Sequence, residues 1–313
     1  MIHVENLTRY YGDFCAVDNI DLDVRKGEIT GLLGPNGAGK TTTLRMLTGY
    51  LAPTSGTISI KDFSIDDDLL EIKKLIGYLP ESAPLYHNML VYDYLDYIAD
   101  IRGLSKERKG ERIQELADLC DLRAIMHRPI GELSKGLRQR VGLAHAMMED
   151  PEILILDEPA SGLDPNQIAE IRDIIRHFGR EKTVILSTHI LSEAEATCDR
   201  IVIIDKGRIV ADGSTEALEQ ESTAQEKIIT VALLKADFAS ASMRFRLLPG
   251  VTGIELVESA DPEVLKLKIS ADGRDNLREM IYSCIKETDW VLLELAKETK
   301  SLENIFRELT KEG

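Results

Sequence analysis

The stretch GPNGAGKT at residues 34–41 decides the fold of this chain. It matches the phosphate-binding pattern G-x-x-x-x-G-K-[ST] at every fixed position. The apolar run Ile29–Leu33 before it predicts a strand, and Thr42–Thr48 after it predicts a helix. Glycines allow successive N–H groups to converge on phosphate oxygens, and the N-terminus of the following helix adds its positive dipole end. We therefore predict a strand–loop–helix unit that binds phosphate, rather than a glycine-rich turn without a ligand.

The predicted phosphate contacts run from the first glycine of this loop into the following helix. They are Gly34, Pro35, Asn36, Gly37, Ala38, Gly39, Lys40, Thr41 and Thr42. We expect Lys40 to reach the β- and γ-phosphates of a nucleotide and the Thr41 hydroxyl to hold Mg²⁺.

The whole chain is acidic and long enough for about two domains. Its 313 residues are 43% hydrophobic and carry a formal net charge of −16. Such a charge argues against nucleic acid as a partner and against docking on anionic lipid by charge alone. The four cysteines lie far apart without a C-x-x-C pair, which predicts free thiols in a reduced cytosolic setting.

Targeting and membrane signals are weak in this sequence. The N-terminus lacks the basic-then-apolar pattern of a signal peptide. No apolar stretch approaches the roughly 18 residues that span a bilayer. If the protein serves a membrane, we expect another chain to supply the spans.

Short apolar runs alternate with helical patterns through the first two-thirds of the chain. The predicted strands are Ile2–Leu7, Ile20–Val24, Ile29–Leu33, Thr57–Ile60, Ile153–Leu156, Thr183–Ser187 and Ile201–Ile204. Helical spacing of apolar residues marks 89–128, Ile168–Phe178 and Leu191–Cys198. This alternation predicts an α/β fold with a parallel sheet.

The pattern changes after a polar stretch, EQESTAQEK at residues 219–227, which predicts a linker. The elements predicted beyond it follow the order β-α-β-β-α-β and end in a closing helix. They are Ile228–Leu234, Asp237–Leu248, Val251–Val257, Val264–Ser270, Arg274–Lys286, Trp290–Leu295 and Leu302–Leu309. This order predicts a small ferredoxin-like α+β domain over residues 228–313.

Two carboxylates, Asp157 and Glu158, follow the apolar run ILIL at residues 153–156. Ligands of open α/β sheets bind at the carboxyl ends of the strands. One carboxylate can serve Mg²⁺ while the other orients or deprotonates water. In a chain that also carries a phosphate-binding loop, this pair predicts phosphoryl chemistry.

The segment LSKGLRQRV at residues 133–141, together with GPNGAGKT and ILILDE, resembles the nucleotide-binding subunit of an ABC transporter. The resemblance covers about residues 2–218, with the motifs in family order and at family spacing. It implies a P-loop NTPase fold of the ABC ATPase type over residues 1–218, with an antiparallel β subdomain and a helical subdomain at about 82–150. It also implies ATP and Mg²⁺ as ligands, and an ATPase that drives transport.

The resemblance assigns roles to individual residues. Tyr11, or its neighbour Tyr10, matches the aromatic residue that stacks on adenine. Asp157 matches the Mg²⁺-associated aspartate, and Glu158 matches the glutamate that activates the attacking water. His189 matches the switch histidine that contacts the γ-phosphate, and Asp164 belongs to the loop SGLD that communicates across a dimer.

Ser134 and Gly136 match the signature motif, which in the family closes on the γ-phosphate bound by the opposite subunit. The resemblance therefore implies a homodimer with ATP sandwiched between the subunits, docked to separate membrane-spanning permease subunits. It implies an exporter on the cytoplasmic face of the cell membrane. Residues 82–95 match the segment that receives the membrane subunits, and their apolar side chains suit either a core or a docking groove.

Two positions depart from the family pattern. The signature reads LSKGL where LSGGQ is usual, so that Lys135 and Leu137 replace a glycine and a glutamine. Lys135 either adds positive charge near the phosphates or points to solvent. Glu81 stands where a glutamine usually links Mg²⁺ and the attacking water to the transporter interface. An ionised carboxylate accepts hydrogen bonds but does not donate them, so we expect Glu81 to affect rate and coupling.

Two other functions fit the same motifs. A soluble ABC ATPase that acts on ribosomes or DNA would usually carry two ATPase halves or a long coiled-coil insertion, and this chain has neither. Residues 228–313 could also make the protein a regulated binding module. They carry no evident ligand-binding constellation, so dimerisation or partner contact is the preferred interpretation of that domain.

Overall fold

The computed structural model describes residues 1–219, 227–259, 261–272, 277–298 and 302–311. The chain divides into two compact units, residues 1–215 with 309–313 and residues 216–308. Residues 220–226 of the predicted linker lie outside the described residues, so the linker stays a prediction.

The first unit is built mainly from strands β1–β10 and helices α1–α7. Strands β1–β10 are Ile2–Tyr11, Phe14–Val24, Ile29–Leu33, Ser55–Ile60, Phe63–Ser64, Ile76–Leu79, Ile153–Leu156, Thr183–Thr188, Arg200–Asp205 and Arg208–Gly213. Helices α1–α7 are Lys40–Leu47, Leu69–Leu75, Val91–Ile101, Lys106–Leu119, Lys135–Ala146, Pro165–Gly179 and Leu191–Thr197. Two short 3-10 helices cover Arg123–Ile125 and Ile130–Glu132.

These strands form two sheets. One is antiparallel, with strand order β2-β1-β4-β5. The other has the order β10-β9-β3-β8-β7-β6 and is parallel except for β10. The structure thus has the predicted α/β architecture. The antiparallel sheet packs against one face of the parallel sheet, and helices α3–α6 pack against the other.

Strand β7 explains how the layers are held together. Side chains alternate between the two faces of a strand. Ile153 and Ile155 accordingly belong to a core that includes the antiparallel sheet and α1. Leu154 and Leu156 belong to a second core built with α3–α6. All four are fully buried, which is why this strand reads as a continuous apolar run.

The register of the parallel sheet brings the chemical motifs to one edge. Leu33 of β3 pairs with Thr188 of β8, so the phosphate-binding loop starts beside His189. Leu79 of β6 pairs with Leu156 of β7. Four strands in the order β3-β8-β7-β6 therefore end at the same edge of the sheet.

Strand β6 was not predicted from the sequence, and β1 and β2 are longer than predicted. Gly77 interrupts the apolar pattern of β6, yet a side chain there would meet the carbonyl oxygen of Ala146 at 2.1 Å. Contact with the backbone at the end of α5 therefore demands glycine. Strands β1 and β2 extend into a tight hairpin in which Tyr11 pairs with Phe14.

The second unit has the predicted β-α-β-β-α-β order. Its elements are β11 Lys227–Leu234, α8 Phe238–Arg246, β12 Val251–Val257, β13 Val264–Ala271, α9 Leu277–Lys286 and β14 Val291–Glu298, and α10 Leu302–Lys311 follows. The antiparallel sheet has the order β12-β13-β11-β14, the arrangement of a split β-α-β fold. Val231, Phe245, Leu267 and Ile281 are fully buried in its core.

Candidate active site

The backbone of the loop at residues 34–41 requires glycine at its two ends. A Cβ atom on Gly34 would lie 2.2 Å from the carbonyl oxygen of Ile204. Gly39 begins α1 in a left-handed conformation with φ 107°, and a Cβ atom there would lie 2.5 Å from the carbonyl oxygen of Ala16. Only glycine fits both this close approach and this conformation. The motif is therefore held in shape by β2 and β9 on either side.

Lys40 is a buried cation with a complete set of partners. Lys40 is only 5% exposed, which is comparable to the residues of the hydrophobic core. Nζ donates hydrogen bonds to the carbonyl oxygens of Gly34 at 2.7 Å and Pro35 at 3.1 Å. It also lies 3.4 Å from Oε1 of Glu158. A buried ammonium is costly without such partners, so the loop and Glu158 together stabilise it.

Asp157 joins the loop to the end of β7. Thr41 donates from Oγ1 to Asp157 Oδ1 at 3.0 Å, and Ser187 donates from Oγ to the same oxygen at 2.7 Å. Asp157 is 1% exposed. A hydroxyl and a carboxylate already in contact are hard oxygen ligands of the kind Mg²⁺ prefers. The residues at this position thus fit the predicted magnesium site.

Glu158 adopts a backbone conformation that is unusual for a residue with a side chain. Its φ is 48°, and its N–H donates to Oγ of Ser187 at 2.9 Å. Its Oε2 lies 2.8 Å from Nδ1 of His189. Because an ionised carboxylate only accepts, we assign the proton of this hydrogen bond to Nδ1. The Glu158 carboxylate therefore lies between Lys40 and His189.

A cavity of about 390 Å³ opens onto these groups. It is lined by Tyr11, Phe14, Ala16, Asn36, Gly37, Ala38, Gly39, Lys40, Thr41, Thr42, Glu81, Glu158, Ser161 and His189. Most of the predicted site residues are therefore brought together. Gly34, Pro35 and Asp157 are not in the lining and instead support Lys40 and Thr41 from behind.

The cavity distinguishes the two candidate tyrosines. Tyr11 lines it, and Tyr10 does not. Phe14, which pairs with Tyr11 across the hairpin, lines it too. The Arg9 guanidinium lies 5.0 Å from the centre of the Tyr11 ring. Two aromatic side chains thus line the same cavity as the phosphate-binding loop.

Ser134, Gly136 and Asp164 are not part of this cavity. Ser134 begins α5 and accepts a hydrogen bond from the Leu137 N–H at 3.3 Å. Asp164 begins α6 and accepts from the N–H groups of Asn166 and Gln167, both at 3.0 Å. The structure therefore uses Ser134 and Asp164 as helix caps.

The first turns of α5 and α6 are in contact. A Cβ atom on Gly136 would lie 2.7 Å from Cδ of Gln167, so this glycine allows the close approach. A Cβ atom on Gly162 would lie 2.6 Å from Nζ of Lys135. Lys135 is exposed, but its ammonium group rests against the SGLD loop rather than extending freely into solvent.

Comparisons with known proteins agree with these motifs. Residues 17–161 match the ABC transporter family. The ABC transporter ATP-binding protein YxlF of Bacillus subtilis is 40% identical over 74% of this chain and 77% of its own length. The chain belongs to the ABC transporter ATP-binding family. It is therefore an ABC-type ATPase.

Other members of the ABC family extend the likeness. YhcH of Bacillus subtilis is 34% identical over 100% of this chain and 96% of its own length, and so includes the second unit. The Nod factor export ATP-binding protein I of Cupriavidus metallidurans is 37% identical over 70% of this chain and 72% of its own.

Solved ABC structures share the fold. An ATP-binding subunit of an ABC transporter matches with a TM-score of 0.65 at 30% identity, covering 71% of this chain and 93% of that chain. A dimeric bacterial ABC transporter cassette matches with a TM-score of 0.63 at 25% identity, covering 68% and 98%. Among the described residues of this ABC ATPase, no helix has both the length and the apolarity that crossing a membrane requires.

Three residues at this ABC site were not predicted from the sequence. Phe14 has no motif of its own and is revealed only by its pairing with Tyr11. Ser161 was recognised as part of SGLD but not as a lining residue. Ser187 joins Asp157 to Glu158, and its position directly before Thr188-His189 was the only available signal.

Proposed function

We propose that this chain is the ATP-hydrolysing subunit of an ABC exporter, working as a homodimer on separate membrane-spanning subunits. The observation that supports it most strongly is the meeting of Lys40, the Thr41–Asp157 contact, Glu158 and His189 at one sheet edge. In this proposal residues 1–218 form the nucleotide-binding domain, with a helical subdomain at about 82–150. Residues 228–313 form an accessory domain.

Each side chain around the cavity has a distinct role in binding ATP. Tyr11 and Phe14 contact the adenine ring, since both are aromatic and line the cavity. The N–H groups of the loop and Lys40 bind the phosphates. Thr41, Asp157 and Glu81 hold Mg²⁺, which supplies charge neutralisation at the phosphate oxygens.

Glu158 acts as the general base. Its two oxygens contact Lys40 and His189. A bound γ-phosphate competes with Glu158 for the Lys40 ammonium and for the His189 imidazole, because the phosphate carries more negative charge than one carboxylate. Glu158 is then free to accept a proton from the attacking water while Lys40 and His189 stabilise the charge on the transferred group.

The homodimer follows from the position of the signature motif. Ser134 and Gly136 lie outside the cavity at the first turn of α5. A helix N-terminus attracts anions, so this turn is suited to a phosphate presented by a second copy. The dimeric cassette among the related structures supports the same arrangement.

Exposed aromatic side chains in the helical layer support a membrane partner. Leu85 is buried, but Tyr86, Leu90, Tyr97 and Ile101 are exposed. The Tyr86 ring lies 5.8 Å from the Tyr97 ring, measured between centroids. We call the four exposed residues the apolar surface. Its apolar character suits a protein segment rather than water. Export, rather than import, is supported by the relative named for Nod factor export.

The test is purification of the tagged full chain from its native membranes in mild detergent with ATP and Mg²⁺. A multi-spanning membrane protein should travel with the wild type and with Tyr50→Asp, since Tyr50 is 76% exposed and lies outside the apolar surface. Tyr86→Asp should lose this partner and keep ATP binding. Ribosomes or DNA-bound proteins in place of a membrane protein would favour the soluble ABC ATPase instead.

A further inference from the structure

Glu193 reaches back to the turn that presents His189. The residue lies in the first turn of α7, and its Oε2 accepts a hydrogen bond from Oγ1 of Thr188 at 2.9 Å. The same hydroxyl accepts from the N–H of Ile190 at 3.0 Å. One hydroxyl therefore links the residues on both sides of His189 and is itself held by Glu193.

This linkage is buried behind the catalytic edge of the sheet. Thr188 is 1% exposed, and its carbonyl oxygen accepts from the N–H of Gly34 at the start of the phosphate-binding loop. Oε1 of Glu193 is also shielded from solvent and has no hydrogen-bond partner among the described residues. Burial raises the pKa of Glu193, and the negative charge of Glu158 acts in the same direction.

Helix stability alone does not account for this arrangement. An acid in the first turn of a helix is favourable when it faces solvent. Glu193 instead turns one oxygen into the protein interior, where a carboxyl oxygen without a partner has a free-energy cost. An arrangement that costs stability beside a reacting group is characteristic of functional sites.

We propose that Glu193 is a positioning residue for the switch histidine, acting through Thr188 to fix the turn 188–190. The proposal depends on the role given above to His189. Without Glu193 the Thr188 hydroxyl is free to rotate and the turn to relax, so the His189 imidazole is less often beside Glu158. The phosphate-binding loop contacts Thr188 through a backbone hydrogen bond from the Gly34 N–H to the Thr188 carbonyl oxygen, which does not use the Thr188 hydroxyl. Loss of Glu193 should therefore slow turnover without weakening ATP binding.

The test compares the ATP turnover number and the equilibrium affinity for ATP in the full-length protein. Glu193→Ala should lower kcat roughly tenfold and leave the dissociation constant for ATP within about twofold. Glu193→Gln keeps an acceptor oxygen at the same distance and should retain at least half of the wild-type rate. Glu195→Gln, on the exposed side of the same helix, serves as the control for loss of a charge.

A double-mutant comparison tests the route through Thr188. Thr188→Val keeps the shape of the side chain and removes the hydroxyl, so it should reproduce the fall in kcat. The combination with Glu193→Ala should be no slower than either single variant, because both break one linkage. Additive losses would show that Glu193 acts by another route and would overturn the proposal.

Other outcomes also decide the matter. An unchanged kcat in Glu193→Ala, a parallel fall in kcat and affinity, or a Glu193→Gln variant as slow as Glu193→Ala would each overturn it. His189→Ala in the same series distinguishes the positioning role of Glu193 from the role of His189 itself. A slow His189→Ala beside a fast Glu193→Ala would remove only the positioning role. A fast His189→Ala would remove the role of the histidine itself.

Discussion

Oε1 of Glu158 lies 3.4 Å from Nζ of Lys40, and both side chains are almost completely buried. The proposed general base therefore neutralises the cation that is proposed to hold the γ-phosphate. Since a carboxylate and a phosphate group are both negatively charged, Glu158 forms an ion pair with Lys40 as a nucleotide phosphate would. ATP binding then requires this internal ion pair to be exchanged.

Glu158→Gln should therefore change two properties at once. Turnover should fall by roughly 10²- to 10⁴-fold, because the general base is lost. Affinity for ATP should rise several-fold, because Lys40 no longer has an internal anion to leave. Single-turnover hydrolysis and equilibrium titration measure the two effects separately. Glu152→Gln removes the same charge just before β7 and should change neither; brisk turnover by Glu158→Gln would contradict the assigned role.

Replacement of the aromatic residues at the hairpin should weaken nucleotide binding selectively. Tyr10 and Tyr11 are equally exposed, at 44% each, but only Tyr11 borders the cavity. Loss of one ring contact is worth about 1 kcal/mol, or roughly fivefold in affinity. Tyr11→Ala and Phe14→Ala should each show this loss in an ATP titration. An equal loss in Tyr10→Ala would mean that the hairpin acts as a whole.

Lys135 should strengthen the ATP-bound dimer through its charge. No ion pair of this residue is seen in the described parts of the chain, and a cation is unfavourable at the first turn of a helix. A phosphate bound at this turn by a second copy would make the Lys135 charge favourable there. In a Glu158→Gln background, Lys135→Gln should weaken ATP-driven dimerisation about three- to tenfold at low salt, with a smaller effect at high salt.

The chain offers a closely matched control for that experiment. Lys106 follows the capping residue Ser105 at the start of α4, as Lys135 follows Ser134 at the start of α5. Lys106→Gln should leave dimerisation unchanged in sedimentation or light-scattering measurements. Equal effects of the two substitutions would point to the overall charge of the chain rather than to the phosphate.

His145 should make the first unit sensitive to acid. Burial, together with the nearby Arg102 charge, lowers the pKa of His145 to about 4, and the Tyr94 hydroxyl is hydrogen-bonded to its Nδ1 at 2.7 Å. The unfolded chain binds this proton near pH 6.5, so between pH 6.5 and 4 the unfolded state binds more protons than the folded state. Stability must therefore fall as the pH drops through this window.

The size of that effect is about 2 kcal/mol between pH 7 and pH 5. Urea unfolding of the wild type and of His145→Gln at the two pH values measures it, since the other titrating groups are common to both proteins. His145→Gln should lose less stability on acidification by about this amount. Equal pH dependence in the two proteins would show that His145 is protonated without cost in the folded state.

The motifs on single strands were predictable from the sequence, and the contacts between strands were not. The limits of β3 and β7 agree with their apolar runs, because both strands are buried on both faces. Ser187 was missed because its partners are Asp157 and Glu158, about thirty residues earlier, and only the β7–β8 pairing brings them together. The choice of Tyr11 over Tyr10 likewise depends on the hairpin with Phe14.

The two faces of β7 have a mechanical consequence. Ile153 and Ile155 are anchored in one core and Leu154 and Leu156 in the other, and Asp157 and Glu158 come directly after them. Close-packed protein cores are stiff and transmit displacement rather than absorbing it. A displacement of the helical layer is thus transmitted to Glu158, the proposed general base, through a strand that is packed between two cores along its whole length.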